Sequence, residues 1–182
     1  MFCLNCGTQL PDNANFCNKC GAAQKGSTPG SAPAPSAPNT GTYNLTDGSV
    51  YTGPIVDGRP HGKGKRTWPD GEIYEGDFVN GVQSGKGKYV YEDGSIYEGD
   101  FVNNLPHGKG TIKWSDGSVC MGEFADGLMH GKGKSMGTDG SIFEGTYVEG
   151  KKHGEGFFKA PNGEVVKGTW KNGEYQKRGL FG

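Results

Sequence analysis

The chain repeats itself every 23 residues, and this period decides what it can fold into. Full units begin, with no insertion between them, at Gly48, Gly71, Gly94, Gly117 and Gly140. A partial unit runs from Gly163 to Gly182, and residues 41–47 match the end of a unit that would precede the first. A fixed period of this length is typical of repeat proteins, in which each unit packs mainly against its neighbours.

Each unit contains two segments with the composition of β-strands. In the unit that starts at Gly71, residues 73–79 are rich in β-branched and aromatic residues. In residues 86–91, Gly87, Tyr89 and Tyr91 fall on one side of a strand, and Lys86 and Lys88 fall on the other. An Asp-Gly or Asn-Gly pair joins consecutive units, and such pairs favour two-residue hairpin turns in which both residues have positive φ. Since 35 glycines would be costly in helices, the sequence predicts an all-β, elongated, single-layer antiparallel meander of hairpins.

Strand periodicity predicts that the two faces of this sheet differ. Tyr74, Gly76 and Phe78 fall on one side of the first strand of their unit, and Glu75 and Asp77 fall on the other. We therefore expect rings and glycines on one face and alternating acidic and basic residues on the other. Cross-strand pairs of opposite charge would each contribute about 0.2 to 1 kcal/mol.

The repeated run Y-x-G-x-[FW]-x-x-G-x-x-H-G-x-G over residues 41–182 resembles the MORN repeat family. The resemblance implies an elongated sheet of hairpins that acts in scaffolding, membrane-proximal organisation or self-association, without catalysis by the repeats. Several positions depart from the pattern. Cys120 and Val166 replace the tyrosine, Ile55 replaces the Phe or Trp, Ser84 and Gln176 replace the histidine, and Asn104 replaces a turn glycine.

Ahead of the repeats, four of the five cysteines form two C-x-x-C pairs, at Cys3, Cys6, Cys17 and Cys20. Four thiolates can close a tetrahedral zinc site, and a closed site is structural because it leaves no open coordination position. A redox couple or two disulfides are the alternatives, and the absence of an export signal disfavours disulfides. The segment looks like a short zinc ribbon, and we predict one structural Zn²⁺ within residues 1–24.

Residues 25–40 consist mainly of Pro, Ala, Ser, Gly and Thr, which predicts a flexible linker because such a segment has little to bury. The predicted domains are therefore a zinc ribbon at 1–24, a linker at 25–40 and a repeat array at 41–182. No apolar run approaches the roughly 20 residues that span a bilayer. We accordingly expect a cytoplasmic protein, with a membrane-peripheral position as the alternative.

The array predicts a non-catalytic scaffold or adaptor that binds a protein partner or self-associates. The predicted contact residues are rings of the aromatic face: Tyr74, Phe78, Tyr97, Phe101, Phe124, Phe143 and Tyr147. The alternative is contact with anionic phospholipid through a ladder of lysines, Lys63, Lys86, Lys109 and Lys132. Open strand edges favour a homodimer. A net charge of −1 disfavours binding to nucleic acid. The sequence contains no nucleophile paired with a base and no phosphate-binding loop, so we do not expect an enzyme.

Overall fold

The computed structural model of the chain describes residues 39–176 and the single position Gln9. Residues 39–176 form one open antiparallel sheet of 14 strands, in which neighbours in the chain are neighbours in the sheet and the short β3 pairs only with β2. The strands are β1 (Asn39–Asn44), β2 (Val50–Val56), β3 (Arg59–Pro60), β4 (Gly62–Thr67), β5 (Ile73–Val79), β6 (Val82–Val90), β7 (Ile96–Val102), β8 (Leu105–Lys113), β9 (Val119–Ala125), β10 (Leu128–Met136), β11 (Ile142–Val148), β12 (Lys151–Lys159), β13 (Val165–Lys171) and β14 (Glu174–Gln176).

This architecture confirms the predicted all-β meander of hairpins. The first strand begins at Asn39, two residues inside the segment that we assigned to the linker, because residues 39–44 pair with residues 50–55. The part of the chain that the structure describes contains no helix able to span a membrane.

The loops between units differ from the two-residue turns that we predicted. In the first of them the Leu45 N–H donates to the Ser49 carbonyl and the Gly48 N–H donates to the Leu45 carbonyl, which closes a three-residue loop. Only its glycine has positive φ, at 81°. The Asp47 carboxylate instead accepts a hydrogen bond from the Ser49 N–H, and this bond stabilises the loop. The predicted turn type was therefore wrong. Asp-Gly occurs both in two-residue turns and in three-residue loops that end in a glycine with positive φ, and the structure has the second kind.

The turns with two positive φ values lie inside the units. Asn80 and Gly81 are one such pair, with φ of 52° and 87°, and Asn103 and Asn104 are another, with φ of 52° and 67°. The second residue of these turns donates its N–H to the preceding hairpin: Gly81 to the Pro60 carbonyl, and Asn104 to the Gln83 carbonyl. The same bond recurs at every later unit, so that each hairpin is tied to the one before it.

Asn104, which replaces a turn glycine, contacts Gln83, which replaces a proline. Met129 and Lys152 also replace that proline, but they face the glycines Gly150 and Gly173. Where Pro60 and Pro106 have no N–H, Gln83 has one, and it donates to Asn104 Oδ1 at 2.8 Å. Gln83 is 3% exposed, and its Oε1 has no hydrogen-bond partner among the described residues. The two substitutions thus form a compensating pair.

We expect Asn104→Gly alone to destabilise the protein by about 1–2 kcal/mol, because it leaves the buried Gln83 N–H unpaired. Gln83→Pro in the same chain restores the combination found at Pro60 with Gly81, so the double variant should regain at least wild-type stability. Denaturant unfolding of the four proteins in the cycle measures this. Additive losses in the double variant would contradict the pairing.

The core consists of two rows of rings on one face of the sheet, one from Tyr51 to Phe124 and one from Tyr147 to Tyr175. Tyr51, Tyr74 and Tyr97 are fully buried. Tyr51 packs edge-to-face against one phenylalanine ring at 5.1 Å, and Tyr74 and Tyr97 each pack edge-to-face between two phenylalanine rings at 4.9–5.2 Å. Edge-to-face pairs add about 0.5–1.5 kcal/mol beyond burial. The tyrosine hydroxyls are satisfied too, since Tyr74 donates to the Asp77 carbonyl at 3.0 Å and Tyr97 to the Asp100 carbonyl at 3.1 Å.

Glycines make room for these rings. A Cβ placed on Gly87 would lie 2.5–2.6 Å from the Tyr74 ring, and one on Gly76 would lie 2.6 Å from the Tyr74 hydroxyl. These two glycines face each other in neighbouring strands. The arrangement recurs along the sheet and produces a glycine row: Gly41, Gly53, Gly64, Gly76, Gly87, Gly99, Gly110, Gly122, Gly133, Gly145, Gly156 and Gly168.

The two units with neither a tyrosine nor a phenylalanine at this position cover their glycines in another way. In the unit of Cys120, the methyl carbon of Met129 lies where a Cβ on Gly133 would be. In the unit of Val166, the Tyr175 ring lies 2.6 Å from the position of a Cβ on Gly168. Met129 and Tyr175 occupy the same repeat position, so a second site in the unit supplies the missing cover.

Candidate functional site

The opposite face of the sheet carries two rows of side chains, one on each side of the glycine row. The strand register aligns row A as Thr52, Lys65, Glu75, Lys88, Glu98, Thr111, Met121, Lys134, Glu144, Phe157 and Lys167. Row B is Pro54, Lys63, Asp77, Lys86, Asp100, Lys109, Glu123, Lys132, Thr146, Glu155 and Thr169. Together they form a surface that runs across the strands.

Between these rows lies a groove of about 1500 Å³, lined by residues from Lys86 to Gln176 and by glycines of the glycine row. A smaller hollow of about 540 Å³ shares Lys86 and Glu98 with it and continues towards Lys63. From β6 to β14 the groove crosses eight strand spacings, about 38 Å at ~4.8 Å each. The two rows lie two residues apart along each strand, so the Cα atoms of the groove walls are about 6.6–6.8 Å apart.

Several lysines of row A and row B form ion pairs with acids on neighbouring strands. Lys63 pairs with Asp77 at 3.1 Å, Lys86 with Asp100 at 2.6 Å and Lys88 with Glu98 at 3.1 Å. Lys134 and Glu144 are 3.9 Å apart. These cross-strand contacts confirm the predicted alternation of charge. Since the partners are largely exposed, each pair contributes only about 0–1 kcal/mol.

The acids of row B also hold the backbone. In three units a glycine with positive φ precedes a row B lysine at a β-bulge, and the acid opposite accepts that lysine's N–H. Asp100 does so for Lys109 at 3.1 Å, and Glu123 does so for Lys132 at 2.7 Å. The hydrogen bond from Lys86, with that from the Lys109 N–H, holds the pKa of Asp100 below its usual range.

Lys109 and Lys132 differ from the other lysines of row B. The acid opposite Lys109 is Glu123, whose carboxylate is engaged by the Lys132 N–H, and the residue opposite Lys132 is Thr146. Neither ammonium group forms an ion pair with a residue in the described range 39–176. Two lysines in successive units thus present donors to the groove.

Two apolar side chains interrupt the charged pattern of row A. Met121 stands where three other units have glutamate, and Phe157 stands where three others have lysine. Met121 is 38% exposed and Phe157 is partly exposed, and both line the groove. The ring core lies on the other face, so the fold does not require apolar residues here. We did not single out these residues from the sequence, although a comparison of equivalent repeat positions marks both.

The seven rings predicted to contact a partner lie in the core instead. Tyr74, Phe78, Tyr97, Phe101, Phe124, Phe143 and Tyr147 are between 0% and 5% exposed. The alternation that put them on one face was right, but neighbouring rings cover them, which leaves no ring surface for a partner in this arrangement. Their burial gives them a structural role. We therefore move the proposed contact to the groove.

The other predicted site residues divide between the groove and the N-terminal segment. The ladder lysines Lys63, Lys86, Lys109 and Lys132 all lie in row B, as the periodicity predicted. The predicted zinc ligands Cys3, Cys6, Cys17 and Cys20 lie outside the described residues. Within the described range no three His, Cys, Asp or Glu side chains are grouped so as to hold a metal ion.

Comparison with protein families decides the class of the array. The MORN repeat model matches five consecutive stretches, 51–73, 74–96, 97–119, 120–142 and 143–165, which together cover more than half of the chain. The chain belongs to the MORN-repeat family. The model for a zinc-ribbon domain matches residues 2–24. Each MORN match starts three residues after the glycine that we used to begin a unit, which is a difference of phase alone.

Solved structures resemble the chain only distantly. One is the TCP10 domain of CPAP from Danio rerio, 16% identical with a TM-score of 0.34, covering 70% of this chain and 71% of that one. Another is the TCP domain of SAS-4 from Drosophila melanogaster in complex with a proline-rich motif of Ana2, 19% identical with a TM-score of 0.27, covering 79% and 99%. Scores this low carry no information about function. No curated protein sequence matches the chain.

Proposed function

We propose that this MORN-repeat protein is a non-catalytic scaffold that holds an extended segment of a partner protein in the groove between row A and row B. The supporting observation is the pair of apolar side chains, Met121 and Phe157, on a face whose equivalent positions are otherwise charged. Their position in a concave groove, more than their exposure, supports an interaction site, because binding clefts combine apolar lining with a few polar groups. The acids and lysines recur with the repeat, so no single acid–base pair stands out as catalytic machinery.

The groove can be altered without disturbing the fold, because the repeats themselves provide the replacement residues. Met121→Glu and Phe157→Lys install the residues that equivalent positions of other units already carry. A matched control is Val102→Glu with Leu105→Lys, which makes the same chemical changes at side chains that are each 45% exposed and lie outside the groove lining.

We expect the groove variant to lose most of the partner that wild-type protein captures from its native extract, while the control variant retains it. Unfolding midpoints of all three proteins should agree, which separates binding from folding. Cross-links from a photoreactive residue at Thr111 should map to one segment of the partner. Equal capture by all three proteins would overturn the proposal.

Anionic phospholipid is the second candidate ligand, and the alignment of Lys63, Lys86, Lys109 and Lys132 in one row favours it. The ion pairs of Lys63 and Lys86 weaken the field that such a row would produce. Flotation with acidic vesicles at low salt tests it, since screening is then weakest. Wild-type protein that floats, with a Lys109→Gln and Lys132→Gln variant that does not, would support lipid binding over the partner segment.

Self-association through β1 is a further possibility within the scaffold role. Residues 39–44 contain no charged side chain, and the outer edge of β1 has no strand partner among the described residues. Uncharged exposed edges favour strand pairing. Light scattering over a range of concentrations should then show a dimer that Thr42→Lys abolishes. A monomer at every concentration would exclude it.

For the N-terminal segment we propose one structural Zn²⁺ held by Cys3, Cys6, Cys17 and Cys20, with the protein in the reducing cytoplasm. The zinc-ribbon match over residues 2–24 supports this assignment. Purified untagged protein should contain one zinc per chain, and Cys17→Ser should lower the content sharply. Chelation should leave the unfolding of the repeat array unchanged. Protein with reduced thiols and no zinc would contradict the assignment.

A further inference from the structure

We propose that the partner segment is a proline-rich peptide in the polyproline II conformation, lying along the groove and across the strands. This inference rests on the proposed function of the groove and specifies its ligand. Three properties of the described residues lead to it: the width of the groove, the hydrogen-bonding character of its walls and the distance between its repeats.

The width selects a single extended chain. The walls stand about 6.6–6.8 Å apart along each strand, which is narrower than an α-helix with its side chains, about 10–12 Å across. The lining lysines and glutamates nearly balance, with Lys86, Lys109, Lys132, Lys134 and Lys167 against Glu98, Glu123, Glu144 and Glu155. A groove with little net charge is complementary to a segment with little net charge, and it offers a polyanion no strong attraction.

The walls favour a ligand that accepts hydrogen bonds and donates few. Lys109 and Lys132 present ammonium donors that no described acid engages. The acids that could accept from a ligand are partly used, since Glu123 accepts a backbone N–H and Glu98 holds Lys88. A proline-rich chain has a free carbonyl at every residue and lacks the N–H at each proline. Its hydrogen-bonding groups therefore match what the walls offer.

The repeat distance selects the conformation. One MORN unit advances two strands, about 9.4–9.8 Å. A polyproline II helix advances about 9.3 Å in its three-residue turn, so every third residue meets the same surroundings in successive units. Two residues of an extended strand advance about 6.6–6.8 Å, which falls out of phase within one unit. Carbonyls three residues apart would thus reach Lys109 and Lys132 together.

The apolar side chains complete the fit. Met121 on β9 and Phe157 on β12 line the groove opposite these lysines, three strand spacings or about 14 Å apart, so each would contact a different turn of the ligand. Pyrrolidine rings pack well against exposed aromatic and flexible apolar groups, as in other grooves that bind polyproline II segments. The ligand would thus have carbonyls on row B and rings on row A.

The test uses the full chain and fluorescein-labelled peptides of the form (Ala-Pro-Pro)n. Fluorescence anisotropy should show binding that strengthens by whole three-residue steps until the peptide spans the groove of about 38 Å, which takes about 12 residues at ~3.1 Å per residue. A Gly-Ser peptide of equal length, flexible and without proline, should bind at least about tenfold more weakly. Equal binding of both peptides, or no dependence on length, would overturn the inference.

Two variants locate the bound peptide. Lys109→Met with Lys132→Met, and separately Met121→Glu with Phe157→Lys, should each weaken binding of the proline peptide by about tenfold. The control Lys151→Met with Lys159→Met, at exposed lysines outside the groove lining, should change it by less than about twofold. Weakening by the control alone would contradict the assigned position. Unchanged unfolding midpoints show that each variant is folded.

Failure of this inference can be told apart from failure of the groove itself. If the captured partner depends on Met121 and Phe157 but cross-links through a segment without proline, the groove remains a binding site and the polyproline ligand is wrong. If neither partner nor peptide depends on these residues, the proposed function also fails.

Discussion

Gly87→Ala should destabilise the protein by about 3 kcal/mol, although it adds only one methyl group to an open sheet. The new Cβ would lie 2.5–2.6 Å from three atoms of the Tyr74 ring. That ring is fully buried and is held edge-to-face by Phe78 at 5.0 Å and Phe101 at 4.9 Å, so it has nowhere to move. Overpacking of a fixed side chain costs about 1–3 kcal/mol, and the upper end applies here.

Removal of the ring identifies the cause. In a Tyr74→Ala background, Gly87→Ala should cost less than about 0.5 kcal/mol, because alanine otherwise suits a strand better than glycine. Tyr74→Ala alone should cost about 3–5 kcal/mol as a buried aromatic deletion. The coupling energy between the two sites is then about 3 kcal/mol, measured by denaturant unfolding of the four proteins. A Gly87→Ala cost that is the same with and without Tyr74 would refute the steric explanation.

Two other glycines of the same row provide graded controls. At Gly156 the nearest ring atom, on Phe143, would be 2.8 Å from the new Cβ, because phenylalanine lacks the hydroxyl, so the loss should be smaller. At Gly41 the contact is 3.0 Å from the hydroxyl of Tyr43, a partly exposed residue in the edge strand that can rotate away. Gly41→Ala should therefore stay within about 0.5 kcal/mol of wild type.

The sequence predicted most of the fold because its period and the alternation of residues act together. Tyr74, Gly76 and Phe78 can share a face only in a strand, and an unbroken 23-residue register leaves no room for a helix between strands. The turn type was missed because Asp47-Gly48 suits two kinds of turn, and the hydrogen bond from the Leu45 N–H to the Ser49 carbonyl decides between them. The intrinsic turn preference of the Asp-Gly pair does not determine whether that hydrogen bond forms.

The site was harder to predict because burial depends on neighbouring units. Tyr97 looks available to a partner when its own hairpin is considered alone, yet Phe101 and Phe124 cover it on two sides. Row B lysines look equivalent in sequence, but Lys132 lies opposite Thr146. Among the described residues Lys109 forms no ion pair, although Glu123 lies opposite it. These differences arise from strand register and from the bulges, which no single repeat specifies.

Cys120 shows how one departure from the repeat is balanced by another. Met129 is 7% exposed and its methyl group covers Gly133, where other units have the ring of a tyrosine. Met129→Ala should therefore open a cavity and cost about 2–4 kcal/mol, within the range for buried large-to-small changes. Cys120→Tyr alone should cost about 1–3 kcal/mol, because the new ring and Met129 would compete for the same space.

The double variant Cys120→Tyr with Met129→Pro should recover wild-type stability or exceed it, because it reproduces the pair found at Tyr97 and Pro106. A ring at this position would also join the row that ends at Phe124 to the row that begins at Tyr147 and Phe143, which are separate among the described contacts. Denaturant unfolding of wild type, both single variants and the double variant measures the coupling. A double variant less stable than either single one would show that Cys120 and Met129 do not share one site, and the account of how each unit covers its glycines would fail with it.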